Sequence, residues 1–142
     1  MQIYWRRRIQ SIGIAMIGIL LLGGGTLPAT AQSLQEVNVT IENHTFHTSQ
    51  MPLQLHDDMI IRVKNLDNVR HGFTSQMFVN TLTHVESHGV VTYGKGIEGV
   101  YLDPGQEVTF QLALEEPGRF QFHCSIHPDM KGEIFLLIID AV

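Results

Sequence analysis

The chain has 142 residues, a formal net charge of −5 and a single cysteine. This length supports one domain with a modest hydrophobic core. An acidic chain has no electrostatic attraction for nucleic acid or an anionic membrane surface, and one cysteine excludes an intramolecular disulfide framework.

The first 31 residues have the pattern of a secretory signal peptide. Basic residues 6–8 precede the apolar stretch 11–22, and Ala29-Thr30-Ala31 forms a small-residue cleavage site. The apolar stretch is shorter than the roughly 20 residues that a membrane-spanning helix needs. We therefore predict cleavage after Ala31, rather than an uncleaved anchor, and a periplasmic or otherwise exported location. The adjacent arginines leave general secretory and twin-Arg export both open.

The predicted mature domain, residues 32–142, carries a net charge of −8. The first 31 residues contain three of the nine basic residues and none of the 14 acidic ones. This charge favours a protein partner with a basic patch. We expect a monomer without a membrane span.

Strand patterns dominate the predicted mature domain. Apolar and polar residues alternate at 37–41, 61–63 and 108–114, and Phe120, Phe122 and Cys124 share one strand face. Residues 133–139 form a nearly continuous apolar run, which predicts a strand buried on both faces. Because Pro-Gly turns at 104–105 and 117–118 separate short strands, the sequence predicts an all-β, antiparallel sandwich.

The segment 78–101 fits this pattern least well. Its apolar residues are scattered among glycines, so we predict a long, partly irregular connection between two sheets. Within it, His84, Glu86 and His88 alternate and would line one face of a strand. Such a face could bind a metal ion, although a solvated strand face or loop explains the same pattern.

The most specific motif lies near the C-terminus. Cys124, His127 and Met130 have the spacing Cys-x2-His-x2-Met, and His71 lies far enough upstream to come from another strand. Two imidazoles, a thiolate and a weak axial thioether are the ligands of a mononuclear blue copper centre. Zinc accepts Cys and His but gains little from a thioether. A buried bystander thiol is the alternative for Cys124.

With these ligands at a strand end, the chain resembles the cupredoxins, the small blue copper electron carriers. The resemblance covers approximately residues 36–139 and includes the approach to His71, the turn and strand at 103–110, the strand before Cys124 and the closing Lys131-Gly-Glu-Ile run. The short ligand loop is most similar to those of amicyanin and plastocyanin-like proteins. The resemblance implies a Greek-key sandwich and one type 1 copper bound by His71, Cys124, His127 and Met130. It also implies electron shuttling with a cytochrome or copper oxidoreductase, without enzyme activity.

Two positions depart from the family pattern. Gly72 follows His71 where many members have an asparagine that braces the ligand loops, so the bracing bond is either missing or supplied elsewhere. Ile126 stands where related members often have proline, and it therefore keeps an N–H that could donate to the Cys124 sulfur.

Two other functions remain open from the sequence. A copper carrier or storage protein would use the same ligands without a redox partner. A small copper enzyme would use His123 at a second copper, but Gln76 stands where copper nitrite reductases have a further ligand, and a second cupredoxin domain is lacking.

Overall fold

The computed structural model describes residues 35–55 and 57–137. The predicted signal peptide and its cleavage site lie outside these residues. In the described part of the chain, no helix is long and apolar enough to cross a membrane.

Ten strands and a single turn of 3-10 helix make up the described structure. The strands are β1 (Gln35–Glu42), β2 (Thr45–Gln50), β3 (Met59–Asn65), β4 (His71–Ser75), β5 (Thr83–Ser87), β6 (Val90–Gly94), β7 (Gly99–Leu102), β8 (Glu107–Leu112), β9 (Gly118–His123) and β10 (Lys131–Leu136), with the helical turn at Gln76–Phe78.

The strands form two sheets. One has the order β2-β1-β3-β8-β5-β6 and the other the order β10-β9-β4-β7. All observed strand pairs are antiparallel except β1 with β3, which are parallel. The predicted all-β sandwich is therefore confirmed.

The core lies between the sheets because alternate side chains of each strand point inward. On β1, Val37, Val39 and Ile41 are buried, and on β9 and just after it Phe122 and Cys124 are buried while Gln121 and His123 are exposed. The predicted faces of these strands are confirmed.

Two sequence predictions about strands need correction. The segment 78–101 is less irregular than predicted, because it contains the β5–β6 hairpin and the start of β7. It does connect the two sheets, since β5 and β6 belong to the six-stranded sheet and β7 to the other. The C-terminal run forms β10, which lies at a sheet edge, and its residues alternate between buried Ile134 and Leu136 and half-buried Phe135. The guanidinium of Arg119 covers the Phe135 ring on the outer face.

One side chain forms hydrogen bonds between the two sheets at the edge where β10 lies. The Gln50 amide at the end of β2 donates to the carbonyl of Phe135 at 2.8 Å and accepts from the Phe135 N–H at 3.0 Å. Gln50 thus links edge strands of the two different sheets.

Candidate metal centre

The four predicted ligand residues lie at one end of the four-stranded sheet. His71 begins β4, Cys124 directly follows β9, and Met130 directly precedes β10. His71, Cys124 and Met130 are buried, whereas His127 is half-buried. Because β4 and β9 are neighbours, the fold brings His71 close to the loop that contains the other three residues.

Two imidazole nitrogens and one sulfur converge at this end. The Nδ1 atoms of His71 and His127 are 3.1 Å apart, and the Cys124 sulfur lies 3.9 Å from the first and 3.5 Å from the second. Ligand atoms about 2.0–2.3 Å from one metal ion lie about 3.3–3.8 Å from each other. The spacing of these three atoms therefore fits a shared metal ion.

Backbone hydrogen bonds within residues 124–130 stabilise the ligand loop. The N–H of Cys124 donates to the carbonyl of Met130 at 3.1 Å, and the N–H of Met130 donates to the carbonyl of His127 at 3.0 Å. The first bond joins the first and last residues of the loop, and the second joins Met130 to His127 within it.

The sulfur of Cys124 accepts two backbone N–H groups. Gly72 donates at 3.2 Å and His127 at 3.4 Å. Such donors stabilise negative charge on the sulfur and tune the properties of a metal site. The sequence suggested the Ile126 N–H for this role, but the observed donors belong to other residues.

Gly72 is packed so closely against Ser125 that there is no space for a side chain. A Cβ atom there would overlap the Ser125 hydroxyl, and it would lie 3.0 Å from the Ser125 backbone nitrogen. The space that an asparagine side chain would need is therefore taken by the residue after Cys124. Direct packing of the two ligand-bearing segments stands in place of the bracing bond.

Asp67 and His44 complete the surroundings of the site, and neither was assigned to it from the sequence. The Asp67 carboxylate lies 2.8 Å from Nε2 of His71 and accepts the backbone N–H groups of Asn43 and His44. The exposed His44 ring stands edge-on to both other imidazoles, with centroids 5.2 Å from His71 and 5.1 Å from His127. The four-residue spacing from Asp67 to His71 is the local signal; His44 comes from a remote turn.

The electrostatics of Asp67 follow from these contacts. Burial raises the pKa of the carboxyl group, but the His44 and Asn43 amides and the His71 ring outweigh that effect and lower the pKa below its ordinary value. The group therefore accepts hydrogen bonds as a carboxylate.

The other sequence candidates are not brought together. His84 and Glu86 share a face of β5, but His88 lies in the following turn with φ of 50°, so the three do not line one face. Neither potential metal-binding group found in residues 35–55 and 57–137 contains these residues or His123, which is exposed on β9. Those two groups are His71–Cys124–His127 and His44–Asp67–His71.

Solved structures with a similar fold include multicopper oxidases and amicyanin. One multicopper oxidase matches with a TM-score of 0.50 and 14% identity over 72% of this chain and 43% of its own. The multicopper oxidase of Campylobacter jejuni, a metallo-oxidase, gives the same score, identity and coverage of this chain but is covered over 29% of its own length. A reduced Cu(I) form of an amicyanin variant matches with a TM-score of 0.47 and 20% identity over 77% of this chain and 87% of its own.

At such identities the likeness concerns the fold alone, and the chain spans less than half the length of these oxidases. No curated protein matches the sequence. The family model described as "Cupredoxin-like domain" matches residues 13–136, which is most of the chain. The chain therefore belongs to the cupredoxin-like domain family.

Proposed function

We propose that this chain is an exported blue copper protein that carries single electrons between redox partners. The observation that carries the proposal is the convergence of His71 Nδ1, His127 Nδ1 and the Cys124 sulfur within 3.9 Å of one another. His71, Cys124 and His127 would hold one copper ion strongly, and the Met130 thioether would bind it weakly. Copper bound there would supply a centre that gains and loses one electron.

The residues around the site support rapid electron transfer. His71 and Cys124 are buried and held by hydrogen bonds, which favours a ligand arrangement that changes little between two oxidation states. His127 is half-buried and therefore near the surface. Ile126, next to His127 in the chain, and Leu66 and Val69, in the loop between β3 and β4, are exposed apolar residues that a partner could contact.

The test is the absorption and EPR spectrum of the copper-loaded protein. We expect an intense visible thiolate-to-copper band that Cys124→Ala abolishes. Met130→Leu should keep the copper while the reduction potential shifts, whereas Met51→Leu, at a position 74% exposed, should change neither property. A colourless copper complex, or an unchanged spectrum in Cys124→Ala, would overturn the assignment.

The fold likeness to multicopper oxidases makes an enzyme the second candidate. It would need a further copper, for which His123 is the sequence candidate. Metal analysis separates the two functions: we expect one copper per chain, unaffected by His123→Ala. Two tightly bound coppers, one of them lost in His123→Ala, would favour the enzyme.

A further inference from the structure

A single carboxylate connects a candidate copper ligand to a turn of the opposite sheet. Asp67 Oδ1 accepts the Asn43 N–H at 2.6 Å, and Asp67 Oδ2 accepts the His44 N–H at 2.9 Å. The same Oδ2 lies 2.8 Å from Nε2 of His71. Asp67 is not itself among the predicted ligands.

The geometry determines which nitrogen of His71 carries the proton. The His71 side chain is 0% exposed and that of Asp67 10% exposed, so water has little access to the bond between them. A carboxylate can only accept hydrogen bonds, so Nε2 of His71 must donate. In the neutral ring, the Nδ1 atom that faces Cys124 and His127 is then left with a free lone pair, as a metal ligand requires.

The turn bound by Asp67 has an uncommon backbone conformation. Asn43 and His44 form the two-residue β1–β2 turn, and both have positive φ, 52° and 55°. In this conformation both N–H groups donate to the same carboxylate. Since β1 and β2 belong to the six-stranded sheet and β4 to the other, Asp67 ties the position of His71 to the opposite layer.

We propose that Asp67 is a positioning residue, which fixes the tautomer and ring orientation of His71 and anchors that ring to the Asn43–His44 turn. The role rests on the proposed copper function, because its benefit is that His71 Nδ1 is unprotonated and correctly oriented before the metal binds. Loss of a hydrogen-bond partner of this kind typically weakens metal binding about 10–100-fold.

The test uses the full chain with 15N-labelled histidine rings, both metal-free and loaded with copper(I). In the unmodified protein we expect His71 to be protonated at Nε2, with slow exchange of that proton with solvent. Asp67→Ala should speed the exchange, mix the tautomers and weaken copper binding about 10–100-fold. Asp67→Asn, which keeps an oxygen acceptor, should recover part of each property.

A control variant separates a specific effect on His71 from a general loss of stability. Asp103→Asn neutralises an exposed carboxylate that pairs with Arg70 rather than with His71. It should leave the His71 tautomer and proton exchange unchanged. If Asp67→Ala does not fold, the unmodified protein decides: a His71 ring that carries its proton at Nδ1, or an Nε2 proton that exchanges with solvent as fast as that of an exposed histidine, overturns the proposal.

The two proposals can fail separately. If the unmodified chain binds no copper, the proposed function is wrong. The Nε2 proton of His71 in the metal-free protein still reports on the bond to Asp67, and a His71 ring protonated at Nδ1 instead would overturn the positioning role.

Discussion

Gly72 illustrates how a single residue controls the packing of two ligand segments. A methyl group at this position would overlap the Ser125 hydroxyl, while the Gly72 N–H donates to the Cys124 sulfur. Any shift that relieves the overlap would therefore also disturb that hydrogen bond.

We expect Gly72→Ala to lower the free energy of unfolding of the metal-free protein by about 1–3 kcal/mol, the usual cost of overpacking. Urea denaturation measures this change. Gly94→Ala is the matched control, because nothing lies within 4 Å of a Cβ atom there. Ser125→Ala should restore most of the stability of Gly72→Ala. No recovery in the double variant would show that the Ser125 hydroxyl is not the obstacle.

At the scale of single residues, chemistry and spacing predicted which ligand atoms could meet. Cys124, His127 and Met130 are close in sequence, and His71 was assigned with them because copper needs a second imidazole. The sequence does not predict the place of His44 beside the site, or the bonds of Asp67 to the Asn43–His44 turn, because these contacts join a turn of one sheet to a segment that is remote in sequence. The alternation of apolar and polar residues describes one strand at a time, so it carries no information on contacts between remote segments.

At the scale of strands, the same reasoning explains which elements were predicted. β1 and β9 have one buried and one solvated face, so their residues alternate clearly. β6 has no buried side chain and therefore no alternation to detect. Its turn has positive φ at His88 and Gly89, as two-residue hairpins require, but only the glycine favours this conformation from sequence.

The hydrogen bonds of the Gln50 side chain, which join the edge strands β2 and β10, should contribute to the stability of the sandwich. Gln50→Ala removes both bonds to Phe135, and at about 1 kcal/mol each we expect a loss of about 1–3 kcal/mol in the free energy of unfolding. Hydrogen exchange at the Phe135 amide should become faster. Ser49→Ala, at the exposed preceding position, should change neither quantity. Equal effects of both variants would mean that shortening any side chain of β2 destabilises the domain, whether or not that side chain bonds to Phe135.

The other side of the larger sheet ends in an exposed apolar strand. Val90, Val91 and Tyr93 of β6 are 66%, 56% and 67% exposed, and β6 is the last strand of its sheet. Unpaired edge strands of this composition promote association between chains, and an inserted lysine opposes it.

We therefore expect Val91→Lys to reduce aggregation on heating, measured by light scattering, without lowering the unfolding midpoint. Asn38→Lys adds the same charge at an exposed site on β1, which is paired on both sides, and should have a smaller effect. Equal protection by both variants would assign the effect to net charge rather than to the strand edge.

At the scale of the whole molecule, net charge should influence how the proposed electron carrier meets a partner. If the signal peptide is removed as predicted, the remaining −8 charge attracts a basic protein, and salt screens that attraction beyond a distance of about 10 Å at 0.1 M. Stopped-flow reduction by a cytochrome with a basic patch should therefore slow as ionic strength rises. Reduction by a small uncharged reagent should not change. A rate that increases with salt would indicate apolar docking or an acidic partner.

The ligand loop between Cys124 and Met130 has a consequence for how such a site can diversify. Its first and last residues are hydrogen-bonded to each other, and β9 and β10 continue from them as a regular antiparallel pair. Because that junction is made by backbone groups, it does not depend on which side chains lie between them. We therefore expect that side chains within the loop can be exchanged while β9 and β10 keep their pairing, so that the properties of the proposed site can change while the rest of the domain stays the same.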